Sequence, residues 1–169
     1  MGKKLRGFTL IELIVVISII GILAAILVPS MLGYVKMGRV RKYNSNAASV
    51  FKGAQLATID RINANGEVLA DMIYITTGQD ATTCKSTDST DTLDLVDYVG
   101  HDFKGYYGFM TNSEGSGCLY AMWSEYPITA AMLQNQMTES QVKATFGGGG
   151  SVSIGCHPLK SDNAADDDN

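Results

Sequence analysis

The stretch GFTLIELIVVISIIGILAAILV, residues 7–28, places one acidic residue inside a long apolar run. The 21 residues from Phe8 to Val28, the apolar segment, are enough for a membrane-spanning helix, which needs about 20. Glu12 is the one charged residue among them. Because an ionised carboxylate in a bilayer costs roughly 2.5–3.5 kcal/mol on insertion scales, Glu12 requires a specific explanation.

The residues before the apolar segment form a short basic leader that contains Lys3, Lys4 and Arg6. A secretory signal peptide has a shorter apolar core, of about 7–15 residues, followed by a small-residue cleavage site. Here the run is longer and no Ala-x-Ala follows it. The basic leader predicts a cytoplasmic N-terminus, so the part of the chain after the apolar segment is expected outside the cytoplasmic membrane.

The sequence Gly7-Phe8-Thr9-Leu10-Ile11-Glu12, with its basic leader and an apolar run ending at Pro29, resembles the N-terminus of type IV prepilins. This class also includes the pseudopilins of type II secretion and the competence pilins. The resemblance covers about residues 1–60. It implies that a prepilin peptidase removes the leader, residues 1–7, after Gly7, and that Phe8 becomes an N-methylated N-terminus.

The resemblance also implies a role for Glu12 in a homo-oligomeric helical filament. Its carboxylate would face the Phe8 amine of a neighbouring subunit, since a paired charge is tolerable where an isolated one is costly. The alternative is an acid that favours a helix N-terminus through the macrodipole. Related pilins lose helical structure between the equivalents of Gly21 and Pro29 on assembly, and this chain has both residues.

One long helix is predicted over residues 8–62, with a kink near Pro29 because proline lacks an amide hydrogen. Its first half is apolar on all sides. Its second half carries an apolar stripe at helical spacing, expected to dock on the rest of the protein. The stripe contains Val40, Tyr43, Ala47, Val50, Ala54 and Ala57.

The predicted helix ends with the turn residues Asn63-Ala64-Asn65-Gly66, which open the head, residues 63–159. Their pattern predicts an α+β fold, in which the N-terminal helix packs on an antiparallel sheet of about four strands. The expected strands are residues 73–75, 105–111, 118–125, 141–146 and 151–156, the last two joined by the GGGG turn. Short helices are expected at residues 89–100 and 128–139.

Residues 67–169 contain fifteen acidic and four basic residues, a net charge of −11 that argues against nucleic acid as a direct partner. The last ten residues, 160–169, read as an acidic flexible tail. No catalytic arrangement is evident, so neither enzyme activity nor a cofactor is expected. Partners implied by the resemblance are the prepilin peptidase, the pilus assembly machinery, and the cytoplasmic membrane before assembly.

Two clusters in the head suggest further chemistry. Acidic residues recur every third position at Asp88, Asp91, Asp94 and Asp97, a weak calcium candidate that is better explained as a solvated acidic face. Three cysteines, Cys84, Cys118 and Cys156, would lie outside the cell, where disulfides persist. Three pairings are open, with a slight preference for Cys118–Cys156.

The resemblance therefore implies a pilin that polymerises into an extracellular filament for adhesion and motility. Three alternatives stay open, of which the most distant is an enzyme with a membrane anchor. The first is a minor pilin or pseudopilin of a type II secretion or DNA-uptake machine. The second is an anchored adhesin whose head binds an unknown host or surface ligand through Trp123 and neighbouring tyrosines.

Overall fold

The structure is a computed structural model that describes residues 8–146 and 152–162. The chain divides into two compact units, with the boundary between Gly38 and Arg39. The first helix, α1 (Leu10–Asn65), has residues in both units. The leader, the GGGG turn and residues 163–169 of the predicted tail lie outside the described residues.

The second half of α1, from Arg39 onward, packs as its sequence pattern predicts. Every member of the predicted apolar stripe is buried, and Gly53 and Thr58 widen the buried face. The helix ends at Asn65, three residues beyond the predicted end. Gly66 then takes a positive φ of 68°, and its amide donates to the Ile62 carbonyl at 2.7 Å. This left-handed glycine satisfies a carbonyl of the last turn, as a C-terminal cap does.

Within the described residues, six antiparallel strands form one sheet, against about four expected. They are β1 (Ile73–Thr76), β2 (Thr83–Ser86), β3 (Thr92–Asp94), β4 (Tyr106–Thr111), β5 (Cys118–Ser124) and β6 (Gly155–His157). Their spatial order is β3-β2-β1-β4-β5-β6. The predicted α+β arrangement is therefore confirmed, with the predicted strands at 73–75, 105–111 and 118–125 in place.

Side chains alternate between the two faces of the sheet and build two cores. Towards α1 lie large aromatic residues, including Tyr74, Phe109 and Trp123, which pack with Tyr43 and Val50 of the helix. The opposite core is covered by a 3₁₀ helix (Ala130–Leu133) and by the short helix described next. It contains Tyr120, Met122, Ile128, Leu133, Val142 and Ile154.

Two local predictions were wrong. Residues 141–146 were expected to be a strand, but helix α3 (Glu139–Thr145) occupies this stretch. A reciprocal capping box starts α3, in which the Thr138 and Gln141 side chains each bond the other residue's amide. Residues 89–100 were expected to be one helix, but they form β3 and the one-turn helix α2 (Val96–Val99).

The predicted helix at 128–139 is also shorter than expected, because the 3₁₀ turn ends at Leu133. The predicted strand at 151–156 is reduced to the three residues of β6. The first residues of the predicted tail are bonded rather than loose. Lys160 donates its amide to the Met137 carbonyl at 3.0 Å, and Asp162 accepts the Ser140 amide at 3.3 Å.

The outer edges of the sheet are occupied by the chain itself. At the β6 edge, the Cys156 amide donates to the Asn44 side chain of α1 at 3.2 Å. At the β3 edge, the Thr92 carbonyl accepts a hydrogen bond of 2.9 Å from the Arg61 guanidinium. Both edge groups therefore have partners within the same molecule.

Candidate processing and assembly site

The described chain begins with Phe8, whose side chain is 84% exposed, and α1 starts two residues later. Thr9 and Glu12 form a closed pair around this helix start. Glu12 Oε2 accepts hydrogen bonds from the Thr9 amide at 2.9 Å and from the Thr9 hydroxyl at 2.7 Å. In return, the Glu12 amide donates to Thr9 Oγ1 at 3.4 Å. The first amides of a helix have no acceptors within the helix. The Thr9–Glu12 pair supplies side-chain acceptors for two amides at this helix start, those of Thr9 and Glu12.

The apolar segment, Phe8 to Val28, is exposed along its whole length. None of its residues is buried, and its best 18-residue window has a mean hydropathy of 3.0. Among the residues that the structure describes, α1 is the one helix long and apolar enough to cross a membrane by length and composition. A helix that is apolar on all sides requires an apolar environment, either lipid or other helices.

Pro29 lies inside α1, near the end of this segment. Its ring nitrogen carries no hydrogen, so the Ala25 carbonyl has no amide donor four residues later. The Ser30 hydroxyl bonds the next carbonyl, that of Ile26, at 3.0 Å. Gly21 and Gly33 have nothing within 4 Å of an added Cβ. The α1 backbone therefore lacks one hydrogen bond at Pro29, and Gly21 and Gly33 lie on either side of it in the same helix.

Comparison with known families matches residues 2–28 to one family model, described as the prokaryotic N-terminal methylation motif. The N-terminal segment of the chain is therefore similar to this motif. The matched residues include Gly7, Phe8 and Glu12, so the resemblance to prepilins drawn from these residues is confirmed. Gly7 itself lies outside the described part of the chain.

Curated relatives share more than this motif. The chain is 32% identical to a type IV major fimbrial protein FimA of Dichelobacter nodosus over 90 residues, 53% of this chain and 56% of that protein. It is 40% identical to a fimbrial protein of Pseudomonas aeruginosa over 58 residues, 34% of this chain and 38% of that protein. The matches thus span between about 38% and 56% of the relatives' length. No solved structure matches.

Trp123, the residue proposed for an adhesin site, is not available to a ligand. It is 3% exposed, its indole N–H donates to the Lys104 carbonyl at 3.0 Å, and Lys42 Nζ lies 5.7 Å from its ring centre. An open groove of about 550 Å³ runs past it, where Tyr126 is 57% exposed. The Lys42 ammonium also binds Glu125 at 2.8 Å, so the charged group over the indole ring already has a partner.

The four aspartates of the calcium candidate do not share a helical face. Asp94 belongs to β3 and accepts the Val96 amide at 3.0 Å, whereas Asp97 lies in α2. Asp91 binds Arg61 at 2.6 Å. Within residues 8–146 and 152–162, no group of three or more histidine, cysteine or acidic residues could hold a metal ion.

All three cysteines are buried and carry free thiols in the structure. Burial raises the pKa of each thiol, which suppresses the reactive thiolate. Cys118 packs in the core beside α1, whereas Cys156 belongs to the core on the opposite face of the sheet. The preferred Cys118–Cys156 pairing is absent from the structure and stays a prediction.

The reason for this separation is an irregularity in β5. Met110 pairs with Tyr120 but Thr111 pairs with Cys118, so Leu119 is an extra residue in the ladder. Such a bulge moves the residues beyond it to the other face. Alternation along β5 alone would place Cys118 on the same face as Tyr120 and Met122, which is the face of Cys156.

Sequence reasoning missed Thr9, although a signal for it was present. The pattern Thr-x-x-Glu before an apolar run is the signature of a capping box, and Thr9-Leu10-Ile11-Glu12 matches it. Glu12 was considered as a helix-terminal acid, but its partner was not identified. The pairing of Arg61 with Asp91, 30 residues apart, carries no such local signal.

Proposed function

We propose that this chain is a structural subunit of a type IV pilus. In this proposal a prepilin peptidase cleaves after Gly7, Phe8 is N-methylated, and the mature chain polymerises into an extracellular filament that serves adhesion and motility. The observation that carries the proposal is the match of residues 2–28 to the methylation motif, together with the full exposure of the apolar segment in the same part of the chain. The names of the relatives as fimbrial proteins support the same conclusion.

The roles proposed for the helix, the head and the tail follow from their exposure and charge. The helix of residues 8–62 would form the filament core, with residues 8–28 first held in the cytoplasmic membrane. The head, residues 63–159, would form the coat, where its excess of acidic residues faces water. The tail, residues 160–169, would remain on that outer surface, and partners in assembly would be the pilus machinery and further copies of the chain.

Transfer of the apolar segment from lipid to filament gains little from hydrophobicity, because lipid tails are as apolar as leucine. Packing between helices and the pairing of charges must therefore provide selectivity. Glu12 fits this requirement, since a carboxylate in apolar surroundings is tolerated when it is paired and hydrogen-bonded. Its partner in a neighbouring subunit would be the Phe8 amine, which would fix the axial register. Loss of helical structure between Gly21 and Pro29 would accommodate that packing.

Electron microscopy of surface filaments, with mass spectrometry of their main component, tests this proposal. We expect filaments in which this chain, beginning at a methylated Phe8, is the most abundant protein. If it is present only in traces beside another main subunit, it is a minor pilin or a pseudopilin. If it is never found in filaments and keeps its leader, the proposal is wrong.

A further inference from the structure

We propose that α1 and the head together form a binding site for an acidic saccharide, in two cavities that share the lining residues Lys42, Glu125 and Tyr126. The first cavity has a volume of about 350 Å³ and is bordered by α1, by the residues that follow β5 and by the end of α3. The second is the open groove of about 550 Å³ beside Trp123. Both volumes lie in the range of small-molecule sites, about 300–1,000 Å³. The site contains no residue of the processing and assembly site and is independent of polymerisation.

Arg39 provides the first cavity with a guanidinium that is available to a ligand. Within the part of the chain that the structure describes, this exposed side chain forms no hydrogen bond or ion pair. It acts on Tyr43 and Glu125 through its charge alone. A guanidinium presents five donors in a planar fork that matches a carboxylate. The carboxylate of a ligand can therefore bind Arg39 with two parallel hydrogen bonds.

The charges of the first cavity favour a ligand with a single negative charge. Lys42 and Glu125 bind each other at 2.8 Å, and the Tyr43 hydroxyl also donates to Glu125. The bonds from Lys42 and Tyr43 hold the pKa of Glu125 below its usual value, so this carboxylate is ionised at neutral pH. Because Glu125 neutralises Lys42, Arg39 leaves one net positive charge in the cavity. One carboxylate matches that charge, whereas Glu125 would repel the second charge of a phosphate.

Tyr126 and the residues of the groove provide the contacts that a sugar ring requires. Tyr126 lines both cavities and is 57% exposed. A sugar ring is apolar on its C–H faces, which pack against aromatic rings, and it carries hydroxyl groups at its edge. The groove adds Asn46, Gln79 and Asp102, whose amide and carboxylate groups bond hydroxyls. A saccharide with one carboxylate therefore uses the aromatic, polar and charged groups together, whereas a simple carboxylic acid uses Arg39 alone.

Hydrogen bonds and ring contacts within the fold hold the first cavity in place. The Ser124 hydroxyl accepts the Tyr126 amide at 3.1 Å and donates to the Ser153 carbonyl at 2.7 Å. The backbone of Tyr126 is thereby linked to the segment that precedes β6. On the other side, the Tyr43 and Phe146 rings pack edge to face with their centres 4.9 Å apart. A site that is formed before binding loses less entropy when the ligand arrives.

The first test measures the affinity of two trisaccharides that carry one carboxylate each, sialyllactose and aldotriouronic acid. Lactose and xylobiose are their neutral counterparts, and the protein is the full chain in detergent micelles, titrated by calorimetry. We expect saturable binding of at least one acid and about tenfold weaker binding of its neutral counterpart, because the ion pair with Arg39 is lost. Inorganic phosphate should bind more weakly than that acid.

Substitutions at two exposed positions then assign the binding to Arg39 and Tyr126. Arg39→Gln should weaken binding of the acid about tenfold and leave the affinity for the neutral sugar unchanged. Arg41→Gln makes the same change at an arginine that lines neither cavity and should leave both affinities unchanged. Tyr126→Ala should weaken binding of both sugars, because packing on the ring does not depend on the carboxylate, and Tyr126→Phe should restore it.

Several results would overturn the proposal. These are no binding of either acid at millimolar concentration, equal binding of the acid and its neutral counterpart, and binding of phosphate as tight as that of the acid. Equal effects of Arg39→Gln and Arg41→Gln, or unchanged binding by Tyr126→Ala, would do the same. None of these results decides the proposed function, because the chain is measured without filaments. A chain that binds no saccharide can still polymerise, and one that never enters a filament can still bind.

Discussion

Arg61 of α1 and Asp91 of the β2–β3 connection form an ion pair in which guanidinium Nη2 lies 2.6 Å from carboxylate Oδ1. The other guanidinium nitrogens bond Glu67 at 3.0 Å and the Thr92 carbonyl at 2.9 Å. The second Asp91 oxygen accepts the Tyr74 hydroxyl at 2.6 Å. One arginine thereby joins the last turns of α1 to β3 directly and to β1 through Asp91.

Replacing this arginine should destabilise the head. Arg61 has a side chain only 19% exposed. Arg61→Met removes the cationic partner of Asp91, which keeps only its hydrogen bonds from the Tyr74 hydroxyl and the Thr92 amide, and it removes the side-chain donor to the Thr92 carbonyl. We expect a loss of about 1–3 kcal/mol in the free energy of unfolding, measured for the full chain in detergent by chemical denaturation. Lys143→Met is the matched control, because its pair with Glu139 is exposed and should contribute less than about 1 kcal/mol. Equal losses in both variants would contradict this assignment.

The free energy of unfolding should also fall at acid pH, because protonation of Asp91 removes its ion pair with Arg61. Burial alone would raise the pKa of Asp91, but hydrogen bonds from Tyr74 and Arg61 outweigh it and hold the pKa below its usual value. The stabilisation is therefore complete above the unfolded pKa of about 3.9 and is lost as the pH falls through the lower folded value. Asp91→Asn should flatten the acid limb of a stability–pH curve. Because hydrogen bonds from Lys42 and Tyr43 also lower the pKa of Glu125, the comparison with the natural chain isolates Asp91.

Gly155 should not tolerate a side chain. A Cβ there would lie 2.2 Å from the carbonyl carbon and 2.3 Å from the carbonyl oxygen of Tyr43, both of which are backbone atoms. Gly155→Ala must therefore push β6 away from α1, at a cost of about 1–3 kcal/mol or more. Gly78→Ala, whose new Cβ would have its nearest contact at 4.0 Å, is the control. Unchanged thermal unfolding of the Gly155→Ala protein would show that β6 and α1 are less closely packed.

Counting free thiols decides the state of the three cysteines. Because Cys118 and Cys156 pack on opposite faces of the sheet, we expect three alkyl groups per chain after unfolding without a reducing agent. Labelling of the folded protein should be slow, since all three thiols are buried and their pKa values are raised. Uptake of a single group in the unfolded chain would reveal one disulfide, and mapping of the linked peptides would then test the predicted Cys118–Cys156 pairing against the other two.

Substitution at Gly7 should block removal of the leader, which the peptidase is proposed to cut there. We expect Gly7→Val to accumulate in the membrane with the mass of residues 1–7 retained, as measured by mass spectrometry of the intact protein. Gly2→Val makes the same change at the other glycine of the leader and should be processed. Normal processing of the Gly7 variant would place the cleavage site elsewhere.

Removal of the Glu12 carboxylate should separate processing from polymerisation. Glu12→Ala keeps the residues on both sides of the proposed cut, so its leader should still be lost. Without the carboxylate, however, the Phe8 amine of a neighbour has no partner to fix the register. We expect processed chain in the membrane and few filaments by electron microscopy. Filaments of normal abundance would refute the register role.

Local patterns predicted most of the fold, and long-range pairing accounts for what they missed. The stripe from Val40 to Ala57 has a strict helical period, and every member is buried as predicted. In contrast, Asp91 resembles a helix cap in the sequence, but its carboxylate binds Arg61, and β3 forms beside it. The strand predicted at 141–146 was lost to the capping box of Thr138 and Gln141, a signal that the sequence does contain.

In the candidate site, too, local patterns were predictable from the sequence and long-range features were not. Gly7, Phe8 and Glu12 are recognised because the motif is contiguous, and the Thr9–Glu12 pair was readable from a spacing of three. The sheet face on which each cysteine lies could not be predicted from the sequence, since a single extra residue at Leu119 changes the face on which Cys118 lies. A bulge has no reliable pattern in one sequence.

The occupied sheet edges have a consequence for crowded subunits. Copies held side by side in a membrane or a fibre bring their sheets to very high local concentration, where open strands add to one another and aggregate. Asn44 and Arg61 already bind the Cys156 amide and the Thr92 carbonyl at the two margins. Sheet extension between neighbours must first break these bonds, so in the proposed filament they would oppose unordered aggregation through the sheet edges.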